Sequence, residues 1–167
     1  MRGEESVMTK NQHIKLLNRC IEISQKAREH GNTPFGALLA DKEGNILLEQ
    51  ENIEMTENIC TGHAETTLAA RASQKYSKEF LWECSLYTTA EPCAMCTGTI
   101  YWGNIGTIVY AMTEKRLLEL TGDNEQNPTF DLPSKEILRH GQKNIQVIGP
   151  FPEIEQAAAA VHEGYWG

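Results

Sequence analysis

The chain has 167 residues, 40% of them hydrophobic and 23% charged, which excludes a disordered or fibrous polymer and suits one globular domain. Fifteen Lys and Arg against 23 Asp and Glu leave a net charge of −8, the wrong sign for a general polyanion binder, whose affinity rests on phosphate contacts. No apolar run reaches the ~18–20 residues that cross a bilayer, and the polar start MRGEESVMTKNQH lacks the apolar stretch of a signal peptide, so a cytoplasmic protein without a membrane partner is expected.

Residues 1–10 read as a flexible leader and residues 11–167 as a single domain. Over 11–30, Ile14, Leu17, Cys20, Ile21 and Ala27 fall close to one face of a helix, and Gly31 suits its C-terminal cap. Phe35 to Ala40, the turn at 41–45 and Ile46 to Leu48 predict a β-hairpin. A polar loop over 51–62 precedes an Ala-rich helix from His63 to Lys75. Ser85 to Thr89 has strand propensity, and Pro92 fits the start of a helix over 93–103. A strand at 107–111, a Thr-capped helix at 113–120, an irregular polar stretch to Pro133, a helix at 134–140, a strand at 144–148 and a helix at 153–163 complete the chain. Strands alternating with helices predict an α/β sandwich of about five strands.

The five cysteines are Cys20, Cys60, Cys84, Cys93 and Cys96, an odd count that speaks against a disulfide framework. Two patterns carry chemistry: His63-Ala64-Glu65, and Pro92-Cys93-Ala94-Met95-Cys96, each at a predicted helix start. A Cys-x-x-Cys on a first helical turn points both sulfurs to one spot, where the positive helix end favours thiolates. His63 as third ligand makes a His-Cys-Cys set for Zn2+, with one tetrahedral position free for water. Bound zinc lowers water's pKa to about 7, and Glu65 stands two residues beyond the ligand, placed to take that water's proton. A thioredoxin-like redox pair would lack the His-x-Glu partner, and a structural zinc site needs a fourth ligand. His13, His30, His140 and His162 are scattered, and the other cysteines suit burial as small hydrophobes.

At these residues the chain resembles the cytidine deaminase-like superfamily, from about Ile14 to the C-terminus, and within it most closely the bacterial guanine deaminases. The resemblance implies a three-layer α-β-α sandwich with a central mixed five-stranded sheet, one zinc per chain and a homodimer. Thr33-Pro34-Phe35-Gly36-Ala37 and Ile100-Tyr101-Trp102 after the second cysteine look like the guanine branch. There Asn52 matches the asparagine that hydrogen-bonds the purine, and Asp123 falls in the stretch that carries an acidic residue. The aromatic end, Tyr165 and Trp166, matches a tail that can reach and close a neighbouring subunit's site. The implied pocket stacks the base against Phe35, Trp102 and His63, while Asn52 and the Ala64 backbone read its edge. Departures are Ala90 where that branch often has Cys, Asp123-Asn124 in place of an acidic pair, and the 125–133 stretch.

Leu86 to Thr89 and Cys93-x-Met95-Cys96-Thr97-Gly98 also resemble yeast-type cytosine deaminase, whose zinc histidine is usually followed by Gly and not by an Ala like Ala64. The tRNA adenosine deaminases share His63-Ala64-Glu65 and Glu91-Pro92-Cys93 but end in a basic helix, whereas residues 144–167 hold no Lys or Arg. The expectation is a zinc-dependent hydrolase that deaminates a free purine base or nucleoside, guanine foremost, giving xanthine and ammonia. Cytosine, isocytosine, guanosine or a triazine is the alternative; a tRNA-acting enzyme or a catalytically silent zinc protein is the remoter one.

Overall fold

The computed structural model describes residues 8–166. Helix α1 spans Lys10–Glu29, β1 Gly36–Ala40, β2 Ile46–Glu51, α2 Ala64–Lys75, α3 Lys78–Trp82 and β3 Ser85–Ala90. Then follow α4 Ala94–Gly103, β4 Thr107–Met112, α5 Glu114–Thr121, α6 Ser134–Arg139, β5 Gln146–Ile148 and α7 Pro152–Ala160. The strands form one five-stranded mixed sheet in the order β2-β1-β3-β4-β5, with β1 antiparallel to β2 and β3 and the remaining pairs parallel.

Alternating side chains sort the sheet into two packed faces. Leu38, Ala40, Tyr87 and Val109 meet Leu16, Leu17 and Cys20 of α1 and Ile154 and Ala158 of α7. Ala37, Leu39, Leu86 and Ile108 meet Leu68 and Ala72 of α2, Ile100 of α4 and Leu138 of α6. Helices therefore cover both faces, as the resemblance implied. Gly36 is required by close approach: a Cβ there would lie 2.6 Å from Cys20 O and Ser24 N, so α1 runs directly against the start of β1.

The helices depart from expectation at three places. Thr9 closes a capping box with Gln12, so α1 begins at Lys10, inside the expected leader, and Met8 packs on the core. Residues 1–7 of that leader lie outside the described residues. Helix α3 was not expected; Ser77 caps it by accepting from the Phe80 N–H, and the segment is too short for apolar periodicity to reveal. The last helix stops at Ala160, three residues early, and the chain turns back from Val161.

The register that pairs Ala90 with Met112 positions the site. Because β3 and β4 are parallel, Glu91 to Cys93 and Thr113 to Glu114 leave the sheet at the same carboxyl edge, where open α/β sheets bind ligands. No helix among the described residues is long and apolar enough to cross a membrane.

Candidate active site

His63 is the N-cap of α2 and Cys93 the N-cap of α4, and neither side chain makes a capping hydrogen bond to its helix. Both are therefore free to point at a third body, with Cys96 a turn inside α4. His63 Nδ1 lies 3.6 Å from Cys93 Sγ and 3.5 Å from Cys96 Sγ. A tetrahedral ion with Zn–N of ~2.0–2.1 Å and Zn–S of ~2.3 Å has an N···S edge of about 3.6 Å, so both N···S edges match a zinc site. Among the described residues these three form the one cluster of His, Cys, Asp and Glu donors close enough to share a metal ion, and it offers three ligands, leaving a fourth position open.

The surroundings prepare the ligands. Cys93 is lowered to about 4 because the Cys96 thiol and the His63 ring stabilise its thiolate. Cys96 is raised by the Cys93 charge beside it and by burial, so in the metal-free protein the pair carries one negative charge. Burial lowers the His63 imidazole, but the Cys93 thiolate and the Glu65 and Glu54 carboxylates outweigh it and raise the ring to about 9. The Thr66 hydroxyl donates to Cys96 Sγ at 3.1 Å. Glu65, on the first turn of α2, is 7% exposed, and burial pushes its carboxyl up to about 7 despite the favourable charge of His63. A carboxyl balanced near neutrality can both take and return a proton.

These groups lie in a cavity of about 390 Å³, within the range of small-molecule sites. His63, Glu65 and Cys93 line it together with Phe35, Asn52 and Glu114.

Residues 10–112 match the family profile described as the cytidine and deoxycytidylate deaminase zinc-binding region. The chain belongs to that family. This deaminase is 33% identical over 153 residues to a probable cytosine deaminase of Schizosaccharomyces pombe, covering 92% of this chain and 91% of that one. It is 37% identical over 100 residues to a guanine deaminase of Bacillus subtilis, covering 59% of this chain and 64% of the other. Its fold matches a solved structure of guanine deaminase from Nitrosomonas europaea with a TM-score of 0.72 at 20% identity, over 98% of this chain and 88% of that one. The chain is thus a zinc-type hydrolase of nucleobase C–N bonds, and His63, Cys93 and Cys96 are positioned to bind the metal.

Six residues were expected around the substrate, and the deaminase brings only some of them together. Phe35 and Asn52 line the cavity, and Ala64 is buried at the first turn of α2 between His63 and Glu65. Trp102 does not: it is 74% exposed, because the face of α4 that carries Ile100 and Cys96 turns inward and Trp102 turns out against Tyr101. Asp123 is also exposed, and the loop instead presents Gln126 to Phe130 to the cavity. Asn124 explains the offset. Its side-chain oxygen accepts from the Gln126 N–H, and its amide donates to the Trp166 carbonyl, so the loop turns inward only beyond it.

The tail expected to cross to a neighbouring subunit folds on its own chain. Trp166 is buried, donates from Nε1 to His162 Nδ1 at 2.9 Å and packs its ring 6.3 Å from Phe35. Tyr165 rests under Arg28 at 5.5 Å and is not part of the cavity lining. The aromatic end therefore braces the pocket wall from behind Phe35.

Sequence reasoning missed Glu54, Glu91 and Glu114. Glu54 Oε1 accepts from Asn52 Nδ2 at 2.7 Å and lies 3.4 Å from His63 Nε2, the nitrogen turned away from the sulfurs. Such a partner fixes a ligand histidine's tautomer and orientation. The Asn52-x-Glu54 spacing was the available signal, since Asn52 Oδ1 also accepts from the Glu54 N–H in an Asx turn. Glu91, buried beside the metal ligand Cys93, accepts from the Glu114 N–H and from both the N–H and hydroxyl of Ser134. An acid at a helix start, as Glu114 is, reads from sequence as ordinary helix-end electrostatics.

Proposed function

We propose that this chain is a hydrolytic deaminase of a free nucleobase, guanine foremost, and that Glu65 is its proton carrier. The observation that carries the reading is the placement of a buried carboxyl, near neutrality in its pKa, beside a three-donor zinc set at one wall of a small-molecule cavity. Zinc supplies a water acidic enough to act as nucleophile at neutral pH. Glu65 takes the proton released as the water's oxygen bonds to the aminated carbon. It delivers that proton to the adjacent ring nitrogen, then takes the proton left on the added hydroxyl and passes it to the amine, so that C=O forms as the exocyclic C–N bond breaks and ammonia leaves. Phe35 provides an apolar face for the ring, and the Asn52–Glu54 pair holds His63 and one polar wall.

Guanine comes first because the likeness to guanine deaminase over 100 residues agrees with the Thr33-to-Ala37 and Ile100-to-Trp102 segments. Cytosine is the second reading, supported by the 153-residue match to a probable cytosine deaminase. The acidic balance and the Lys- and Arg-free stretch 144–167 favour a free base over RNA. The proposal includes a homodimer, with exposed Trp102 offering apolar surface for contact; light scattering on the purified protein gives twice the chain mass if it is right.

Ammonia release from guanine, guanosine, cytosine, isocytosine, adenine and a triazine, with the zinc-loaded protein, tests the reading. Release from guanine above the others is expected. Zinc-replete protein that frees no ammonia from any of them overturns it.

A further inference from the structure

The cavity holds a second carboxyl that the proton transfers at Glu65 leave unused. Glu114 is the first residue of α5, is 4% exposed, and lines the same space as Glu65, His63 and Cys93. Its Oε2 is buried and has no hydrogen-bond partner among the described residues. Buried polar atoms are nearly always paired, and an unpaired one destabilises the fold. An apolar residue would fill that wall without the penalty, so the position points to a partner that arrives from the cavity.

The chemistry of that partner follows from the neighbours. The charged side chains that raise Glu114 are Cys93, Glu91, Glu65 and Asp131, all acidic. Burial first and these charges second push its carboxyl up to about 9, so it holds its proton at neutral pH. A protonated carboxyl offers one O–H donor beside one carbonyl acceptor. Its complement is a heterocycle edge with a ring N–H next to a carbonyl oxygen or an unprotonated ring nitrogen.

Resting on the deaminase reading above, we propose that Glu114 is a specificity-determining residue that pairs with the edge of the base to which a sugar would be attached. In guanine that edge is N9–H with N3, and in cytosine N1–H with O2, so both candidate substrates present the same donor and acceptor there. The pairing leaves the aminated carbon free to face the metal. It also excludes nucleosides, because a sugar on that nitrogen removes the donor.

The experiment measures binding, so that it does not depend on turnover. Zinc-loaded protein carrying Glu65→Ala is titrated calorimetrically with guanine, 9-methylguanine, cytosine and 1-methylcytosine. The preferred parent base binds about 100-fold tighter than its methyl derivative, as expected where a site's polar group is left unpaired. Adding Glu114→Ala weakens the parent base about tenfold or more and leaves the methylated base unchanged. Simple steric relief would instead tighten the methylated base. Glu114→Gln, which keeps one donor and one acceptor, restores most of the discrimination.

Parent-base affinity within twofold of the control in Glu114→Ala, at equal zinc content, overturns the proposal. Should that variant not fold, Glu114→Met fills the space without a polar atom and carries the same comparison. Ammonia release with binding indifferent to Glu114 defeats this inference alone. Discriminating binding without ammonia release by the wild-type protein defeats the proposed function and leaves the Glu114 pairing standing.

Discussion

At the scale of single residues, the site divides its labour between two carboxylates around one histidine. Glu65 is buried and raised to about 7, and the proposal makes it the group that moves protons. Glu65→Ala is expected to keep zinc and the fold while lowering kcat by about 10²–10⁴-fold, measured as ammonia release alongside metal content. Retained turnover would remove Glu65 from the mechanism. Glu54 lies 3.4 Å from His63 Nε2, where its carboxylate can orient the ring. Glu54→Gln keeps the shape of the Asn52 turn but weakens the acceptor on the imidazole. A loss of about 10–100-fold in zinc affinity is expected from a competition titration with a chelating dye. An unchanged affinity would mean that the 3.4 Å contact does not orient the ring.

At the scale of elements, the site is an encounter of helix starts. α2 and α4 each begin on a ligand whose side chain does not cap its own helix, and both N-termini bring positive potential to the thiolates and to the Glu65 carboxyl. Glu91 ties two more helix starts to the same place. Its Oε1 accepts from the first N–H of α5 and its Oε2 from that of α6. Removing this carboxylate strands two buried N–H groups, each costing about 1–3 kcal/mol. Glu91→Ala is therefore expected to lose at least about 2 kcal/mol in a urea melt and to weaken substrate more than it lowers zinc content. A melt unchanged within error would show that other contacts anchor α5 and α6.

At the scale of the whole molecule, the C-terminal turn closes the back of the pocket through His162. Its Nδ1 accepts from Trp166, which leaves the ring proton on Nε2, a buried atom without a partner among the described residues. Burial first and the Arg28 charge second lower its pKa to about 4. An unfolded histidine titrates near 6.5. Below that pH the unfolded chain binds a proton that the folded chain refuses until about pH 4, so stability falls on acidification across this window. The full window amounts to about 3 kcal/mol at ~1.36 kcal/mol per pH unit. His162→Gln, which can still accept from Trp166, is expected to flatten the acid limb of a stability–pH curve between about 6.5 and 4. A limb of unchanged slope would assign the acid sensitivity to other groups, such as the buried His13, whose pKa is also depressed by desolvation.

Much of this was legible one residue at a time. His63-Ala64-Glu65 and the Cys93-to-Cys96 spacing name a metal site because ligand chemistry and a helical first turn are local properties, and alternating apolar strands with amphipathic helices name the layered fold. Helix α3 escaped because five residues carry no usable period. Trp102 and Asp123 were placed in the pocket by likeness, but the rotation of α4 and the Asn124 turn are set by packing against distant segments.

The sequence by itself determined the candidate zinc donors, the carboxyl beside them that is proposed as proton carrier, and the class of fold, since each follows from residue type and short-range spacing. Only the tertiary structure decided what surrounds the ring. The parallel register of β3 and β4 carries Glu114 to the edge where Glu91 and Cys93 emerge, and the tail folds behind Phe35. Those neighbours meet across 20 to 130 positions of chain, where burial and partner geometry, not local propensity, determine which polar group faces the substrate.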